Sequence, residues 1–225
     1  MKEPQVWVFI EQRRGVVHDV GLELLGKARE LADAAGAQVA ALLLGDGVTP
    51  LADTLISLGA DVVLVADHPA LEPYRLLPYT QLLAEVCRAR QPDILLFGAT
   101  SLGVELAPRL AARLQTGLSA HCIDLQLDAD GHLLQMVPGW GGGVVATIKT
   151  PDRRPQMATV MPGVMKKLQP APRSGQVIPL SWSEDLDLPG PRVLEVHREE
   201  PQELPLEPWV PPGRRWMKAG PQKNR

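Results

Sequence analysis

Read from the amino terminus, the chain switches repeatedly between two hydrophobic periods. QVWVFIE (5–11) is a short apolar run rich in β-branched and aromatic residues, the mark of a buried strand. An Arg-Arg-Gly turn follows. DVGLELLGKARELADAAG (19–36) then places Leu22, Leu25, Ala28, Leu31 and Ala32 at helical spacing, with Asp19 as a cap and Gly36 as the stop. AQVAALLLG (37–45) predicts a second strand. TPLADTLISLGA (49–60) predicts a helix with Thr49 as N-cap and Pro50 at its first position. DVVLVAD (61–67) is a strand, LLPYTQLLAEVCRARQ (76–91) a helix, DILLFGA (93–99) a strand and SLGVELAPRLAARLQ (101–115) a helix. Strands separated by helices of about a dozen residues need right-handed crossovers, so the pattern predicts an α/β, doubly wound, mostly parallel sheet with helices on both faces. Such sheets take ligands beyond the carboxyl ends of their strands, where the strand order reverses. The turn after Phe97 lies at such an end.

Past residue 117 the period changes. LSAHCIDLQLDADGHLLQMVPG (118–139) reads as an alternating strand, a turn at Asp130-Gly131 and a second strand, which is a hairpin signal. GGGVVATIKT and PQMATVMPG add two more strand-like runs. These late, partly antiparallel strands are expected to extend the sheet. From Lys166 onward proline and charge dominate, and the reading is an extended Pro-rich arm and a disordered tail over 166–225. Trp182, Trp209 and Trp216 are large aromatics for such a segment, which suggests that the arm lies against a surface, its own or a partner's.

Composition narrows the class. The 225 residues suit one large domain or one domain with an appendage, and 45% hydrophobic content supports a sizeable core. A net charge of −3 and a pI near 6.0 argue against nucleic acid as the main partner. The two cysteines, Cys87 and Cys122, are far apart and fit neither a disulfide framework nor a metal motif. The first apolar run is too short for a signal sequence and is cut by Glu11. No run approaches a membrane span, so a soluble, cytoplasmic protein is expected.

Two glycine-containing turns are the chemical candidates. At Gly98-Ala99-Thr100-Ser101 a hydroxyl caps the following helix, whose free N–H groups either remain a plain capped end or meet a nucleotide or a partner's cofactor. The turn is neither a Walker A loop nor a Gly-x-Ser-x-Gly elbow. GWGGG (139–143) either allows close approach of a ligand or another chain, or is a hairpin link, with Trp140 beside it. The histidines at 18, 68, 121, 132 and 197 show no metal spacing, and adjacent His121 and Cys122 point to opposite strand faces. No metal or catalytic constellation is read, and the chain is not expected to be an enzyme. DRRPQ (152–156) is read as a salt-bridged turn in preference to a phosphate clamp. The residues alone reach an α/β domain with an interaction arm, a nucleotide link being left open.

GATSLGVELAPRLAARLQTGLSAHCIDLQLD together with RRPQMATVMPGVM resembles the N-terminal domain of the electron transfer flavoprotein alpha subunit. QVWVFIEQRRG is similar to that family's first strand and turn, and the resemblance covers roughly residues 4–165. It is most similar to the branch serving acyl-CoA dehydrogenases or reductases, nitrogen-fixation electron supply or electron bifurcation. The resemblance implies an adenine-nucleotide alpha-hydrolase-like fold over 1–165 and a heterodimer with a beta subunit of similar fold that holds AMP or a second FAD. It further implies that the electron-transferring FAD sits in a separate C-terminal domain opening with Ser-Gly-Gly-Arg-Gly. That motif does not occur in these residues, so FAD is expected in the assembled complex and not on this chain alone; a separate flavin-domain polypeptide is one source of it. Where many relatives carry arginines this chain has Val137 and Met161. On this resemblance Gly98, Thr100 and Ser101 are expected to border a partner-held nucleotide. Arg109, Trp140, Gly141, Gly142, Arg154 and Trp182 are expected at the partner interface. The implied role is a carrier subunit in flavin-mediated electron transfer with acyl-CoA dehydrogenase-type partners, as in fatty acid beta-oxidation. The alternative is a non-redox nucleotide-binding or assembly scaffold.

Overall fold

The structure, a computed structural model, describes residues 5–139, 141, 143–181, 193–195 and 197. Two units are separable, Met1–Gly190 and Pro191–Arg225, and the architecture below belongs to the first. Trp140, Gly142 and Trp182 lie outside the described residues, as does the expected tail with Trp209 and Trp216.

The predicted strands form β1 (Gln5–Ile10), β4 (Gln38–Gly45), β5 (Val62–Asp67) and β6 (Ile94–Gly98). Between β1 and β4 lie a small hairpin, β2 (Gln12–Arg13) with β3 (Val16–Val17), in place of the expected simple Arg-Arg-Gly turn, and helix α1 (Asp19–Ala35). Helices α2 (Ala52–Ser57), α3 (Leu76–Arg90) and α4 (Ser101–Leu114) make the other crossovers. Strands β7 (Leu118–Cys122), β11 (Gln156–Val160) and β12 (Gln176–Pro179) complete a seven-stranded sheet ordered β12-β5-β4-β1-β6-β11-β7, parallel at every pairing. The chain winds outward from β1 through β4 and β5, then returns to place β6 on the other side of β1. The strand order therefore reverses between β1 and β6.

Side-chain alternation divides the core. Val6, Val8 and Ile10 of β1 join the cluster of Leu24, Leu25 and Ala28 on α1, whereas Trp7 and Phe9 join that of Leu82 and Leu83 on α3 and Leu106 and Leu110 on α4. The central strands β4, β1 and β6 are almost wholly apolar because both faces of the sheet are covered there. Helix α1 starts at His18, whose Nδ1 accepts from Val20 N at 3.3 Å, one residue before the expected Asp19 cap. It stops at Gly36, as read, in the left-handed region at φ 61°.

Of the late strands, β7 and β11 extend the main sheet as expected and the antiparallel ones depart from expectation. β8 (Asp124–Leu127), β9 (Leu133–Pro138) and β10 (Val145–Ile148) form a separate antiparallel sheet and do not extend the main one. The run read as one strand breaks after Cys122: His121 has φ 58° and the β7–β11 register shifts there, turning the chain into the second sheet. Buried glutamines join the layers. Gln156 Oε1 accepts from Leu133 N at 2.8 Å, and Gln135 accepts from the Ser119 hydroxyl while its Nε2 reaches Met157 O at 3.4 Å. Each amide satisfies buried backbone or hydroxyl groups that would otherwise be costly.

After β11 the chain crosses to the opposite sheet edge as a strap over α1 and α2. Gly163 N donates to Glu23 Oε2 at 2.8 Å, Lys167 pairs with Asp19 at 2.8 Å, and Ala171 N donates to Ser57 O at 3.0 Å. A Cβ at Gly26 would overlap the Lys166 carbonyl oxygen, so glycine is what lets the strap lie flat on α1. The strap ends in β12 beside β5.

Four aspartates are held below the ordinary carboxyl range. For Asp128 the cause is first the Lys149 ammonium and then the His132 N–H; for Asp19 it is the Lys167 ammonium. Partial burial would raise Asp67 and Asp124. Donation from Thr49 outweighs it for the first, and the Gln126 amide, Leu125 N–H and Lys27 outweigh it for the second. The unfolded chain therefore binds protons first as acid is added. This stabilisation is complete above the unfolded aspartate value of about 3.9 and is lost as pH falls through the lower folded values. Urea midpoints should be level from about pH 7 to about pH 5 and decline below about pH 4. A midpoint unchanged down to about pH 2 would contradict the assignment.

Candidate functional site

The crevice where the strand order reverses is bounded by the residues that follow β1 and β6. The β6 side is Gly98-Ala99-Thr100-Ser101. Ala99 N donates to Val160 O at 2.7 Å, which ties the turn to the end of β11. Thr100 is the N-cap of α4: its Oγ1 accepts from Gly103 N at 3.0 Å. Its hydroxyl proton goes to Glu11 Oε2, 2.5 Å away at the end of β1. Gly98 and Gly103 allow this closure, since a Cβ at 98 would strike Val20 and a Cβ at 103 would overlap the Gly98 carbonyl oxygen. These glycines pack protein against protein and do not leave a cradle for a ligand.

The electrostatics follow from Glu11. A helix N-terminus attracts negative charge. Here the protein's own carboxylate lies one hydroxyl away from that end, and a phosphate arriving at the turn would meet it. Glu105 adds a second carboxylate on α4, within 3.3 Å of the Tyr74 hydroxyl. Burial first, then Glu105, holds the Tyr74 phenol well above its ordinary range. The turn after β4 is closed in the same way. Asp67 accepts from Gly47 N at 2.6 Å, Thr49 N at 2.8 Å and Thr49 Oγ1 at 2.5 Å. Thr49 thus serves the Asp67 bridge and not the expected cap; a 3₁₀ turn, Thr49–Leu51, precedes α2.

The other candidate residues separate by position. Gly139 and Gly141 follow β9, which runs beside β11 from the level of Gln156 upward, and this carries them toward the same end of the sheet as the Thr100 turn. Gly141 adopts φ 84°, accessible to glycine at little cost. Beside them Val144 is 67% exposed just before the edge strand β10, and Val145 and Ile148 are 54% and 40% exposed on it. Ser101 and Arg109 are exposed on α4. Arg154 lies at the opposite end, just before β11. The expected salt-bridged turn does not form there: among the described residues no ion pair joins Asp152 to Arg153 or Arg154, and Arg154 Nη1 instead donates to Pro151 O at 3.0 Å and Arg153 O at 2.9 Å.

Both cysteines sit in surroundings that disfavour the thiolate. Cys87 and Cys122 are free and buried, and burial pushes their thiols up to about 12 and about 11. The hairpin turn gathers Asp128, Asp130 and His132, but Asp128 already serves Lys149 and the N–H groups of Asp130 and His132. Glu11 is the residue of this crevice that sequence reasoning missed. Its only signal was an acid closing an apolar strand, and its partner stands 89 positions away.

Among the described residues no helix is long and apolar enough to cross a membrane. Residues 6–184 match the electron transfer flavoprotein domain. The electron transfer flavoprotein subunit alpha of Thermoanaerobacterium thermosaccharolyticum is 48% identical over 174 residues, which are 77% of this chain and 53% of that protein. The protein FixB of Clostridium saccharobutylicum is 48% identical over 164 residues, 72% of this chain and 49% of its own. The acryloyl-CoA reductase electron transfer subunit beta of Anaerotignum propionicum is 39% identical over 187 residues, 73% of this chain and 51% of its own. The chain spans about half the length of these curated relatives. With the matched segment running from β1 through β12, the chain belongs to the electron transfer flavoprotein family.

Proposed function

We propose that this chain is an alpha-type positioning subunit, which pairs with a beta subunit of similar fold to support flavin-mediated electron transfer in the cytoplasm. The match over residues 6–184, with alpha subunits among the relatives, carries this reading. The site chemistry gives it a form. Asp67 takes the N–H and hydroxyl donors of the turn after β4, and Glu11 holds a carboxylate on the Thr100 hydroxyl of the turn after β6, which weighs against a cofactor phosphate held by this chain alone at either place. FAD is placed in the assembled complex, with AMP or a second FAD on the beta subunit. This chain's contribution is a rigid sheet end and a docking surface.

That surface is the exposed edge of β10, the adjoining Gly139 and Gly141, and Arg109 on α4, with Gly98, Thr100 and Ser101 bordering the nucleotide that the partner holds. Arg154, at the other end of the sheet, is not part of it. An acyl-CoA dehydrogenase-type redox partner is in keeping with the name of the Anaerotignum relative. The non-redox scaffold remains the second reading, favoured by the two carboxylate-closed turns.

Co-expression with a beta-type subunit, gel filtration and flavin absorbance test the proposal. The expected result is co-elution as a heterodimer, with flavin present once a polypeptide carrying the flavin domain is included. A dimer that stays colourless under that condition supports the scaffold. A chain that elutes alone overturns both pairing and transfer.

A further inference from the structure

The opposite end of the sheet carries a feature that the proposed function does not use. A cleft of about 690 Å³ opens at the amino end of β6, between the carboxyl ends of α3 and α4, lined among others by Cys87, Arg88, Asp93, Arg154 and Pro155. Arg88 and Arg154 line it, and Arg90, Arg113 and Arg153 are each next in sequence to a residue of its lining. Arg88 and Arg90 are in the last turn of α3, Arg113 is in the last turn of α4, and Arg153 and Arg154 precede β11. Arg88 Nη2 donates to Arg113 O at 3.0 Å, which joins the two helix ends. Among the described residues none of these five forms an ion pair. Asp93 is engaged with Gln5 N at 2.9 Å.

We infer that this rim is a second interaction surface, recognising an acidic stretch of a partner protein, distinct from the beta-subunit surface and at the other end of the sheet. Two of its guanidiniums are held by backbone carbonyls through one nitrogen each: Arg88 through Nη2 on Arg113 O, and Arg154 through Nη1 on Pro151 O and Arg153 O. Their remaining N–H groups are left for an external acceptor. This is a preorganised fork that suits carboxylates.

The helix ends decide between anions. Two helices direct their carboxyl termini at this end, capped by Gln91 and Gln115 in the left-handed region. Their partial negative charge disfavours a compact phosphate entering the cleft floor, which would need N–H donors there. Carboxylates spread along a polypeptide reach the arginines on the rim without descending to the floor. A net charge of −3 for the whole chain weighs against a nucleic-acid backbone as occupant.

The probe is a fluorescein-labelled deca-glutamate peptide titrated with the full chain at low salt and followed by anisotropy. Arg90→Glu with Arg153→Glu is the decisive variant, because neither side chain makes a hydrogen bond or ion pair among the described residues. Arg13→Glu with Arg14→Glu, on the β2–β3 turn, is the charge-matched control. The expected result is saturable, salt-sensitive binding that weakens about tenfold in the first variant and little in the second. Equal losses in both, or no loss in the first, would overturn the assignment. So would competition by inorganic phosphate or by a short DNA duplex at lower concentration than unlabelled peptide. Because the beta partner is absent from the assay, failure here leaves the proposed heterodimer untouched.

Discussion

Replacing Gly103 with alanine is expected to lower the stability of the domain by about 3 kcal/mol and to unseat the start of α4. The added methyl group would occupy the space of the Gly98 carbonyl oxygen, a backbone atom that no rotamer change can clear. Either the first turn of α4 lifts from β6, or β6 itself moves between β1 and β11, its bonded neighbours. Lifting the turn separates Gly103 N from Thr100 Oγ1 and so loosens the hydroxyl that serves Glu11. Urea unfolding monitored by circular dichroism measures the effect. Ser101→Ala, an exposed position of the same turn, is the comparator and should change stability by less than about 0.5 kcal/mol. A Gly103→Ala midpoint equal to that comparator would show that the closure around Thr100 is looser than described.

Trp7→Ala should cost more, about 4 kcal/mol. Trp7 is fully buried in the middle of the central strand, on the face packed by α3 and α4, and its indole N–H donates to Gln5 Oε1 at 2.8 Å. Removing the indole leaves a cavity between strands that are hydrogen-bonded on both sides, so the walls collapse little. The loss is a large part of the stability typical of a domain this size. Trp7→Phe keeps most of the apolar surface and should lose less than half as much. Equal losses for the two variants would point to the Gln5 hydrogen bond, and not the packing, as what matters there.

The parallel core was legible because its signal is local. β1, β4, β5 and β6 read as apolar runs, and α1, α3 and α4 as helical periods, close to their observed limits. Gly36 was legible as a stop because a left-handed residue favours glycine. Gln91 and Gln115 end α3 and α4 in the same conformation without that signal, so only their position past the last apolar residue marked them. β12 was missed. Its four residues, Gln176–Pro179, form a strand only because β5 offers an unpaired edge, which is a property of the sheet and not of the segment. The second sheet was half legible: the Asp130-Gly131 turn announced a hairpin, but nothing local said that His121 would divert it from the main sheet.

The candidate site divides in the same way. Sequence determined the glycine-containing turn, the capping hydroxyl of Thr100 and the family, since each lies in contiguous residues whose backbone needs are fixed by their own chemistry. Which way that turn would act was set by the tertiary structure. Winding β6 back beside β1 brought Glu11 to the Thr100 hydroxyl and so put a carboxylate beside the start of α4. The same winding placed Arg154 at the far end of the sheet from Ser101 and brought it to one cleft with Arg88 of α3. Proximity between residues distant in the chain is decided by strand order, and strand order is fixed by which buried faces meet.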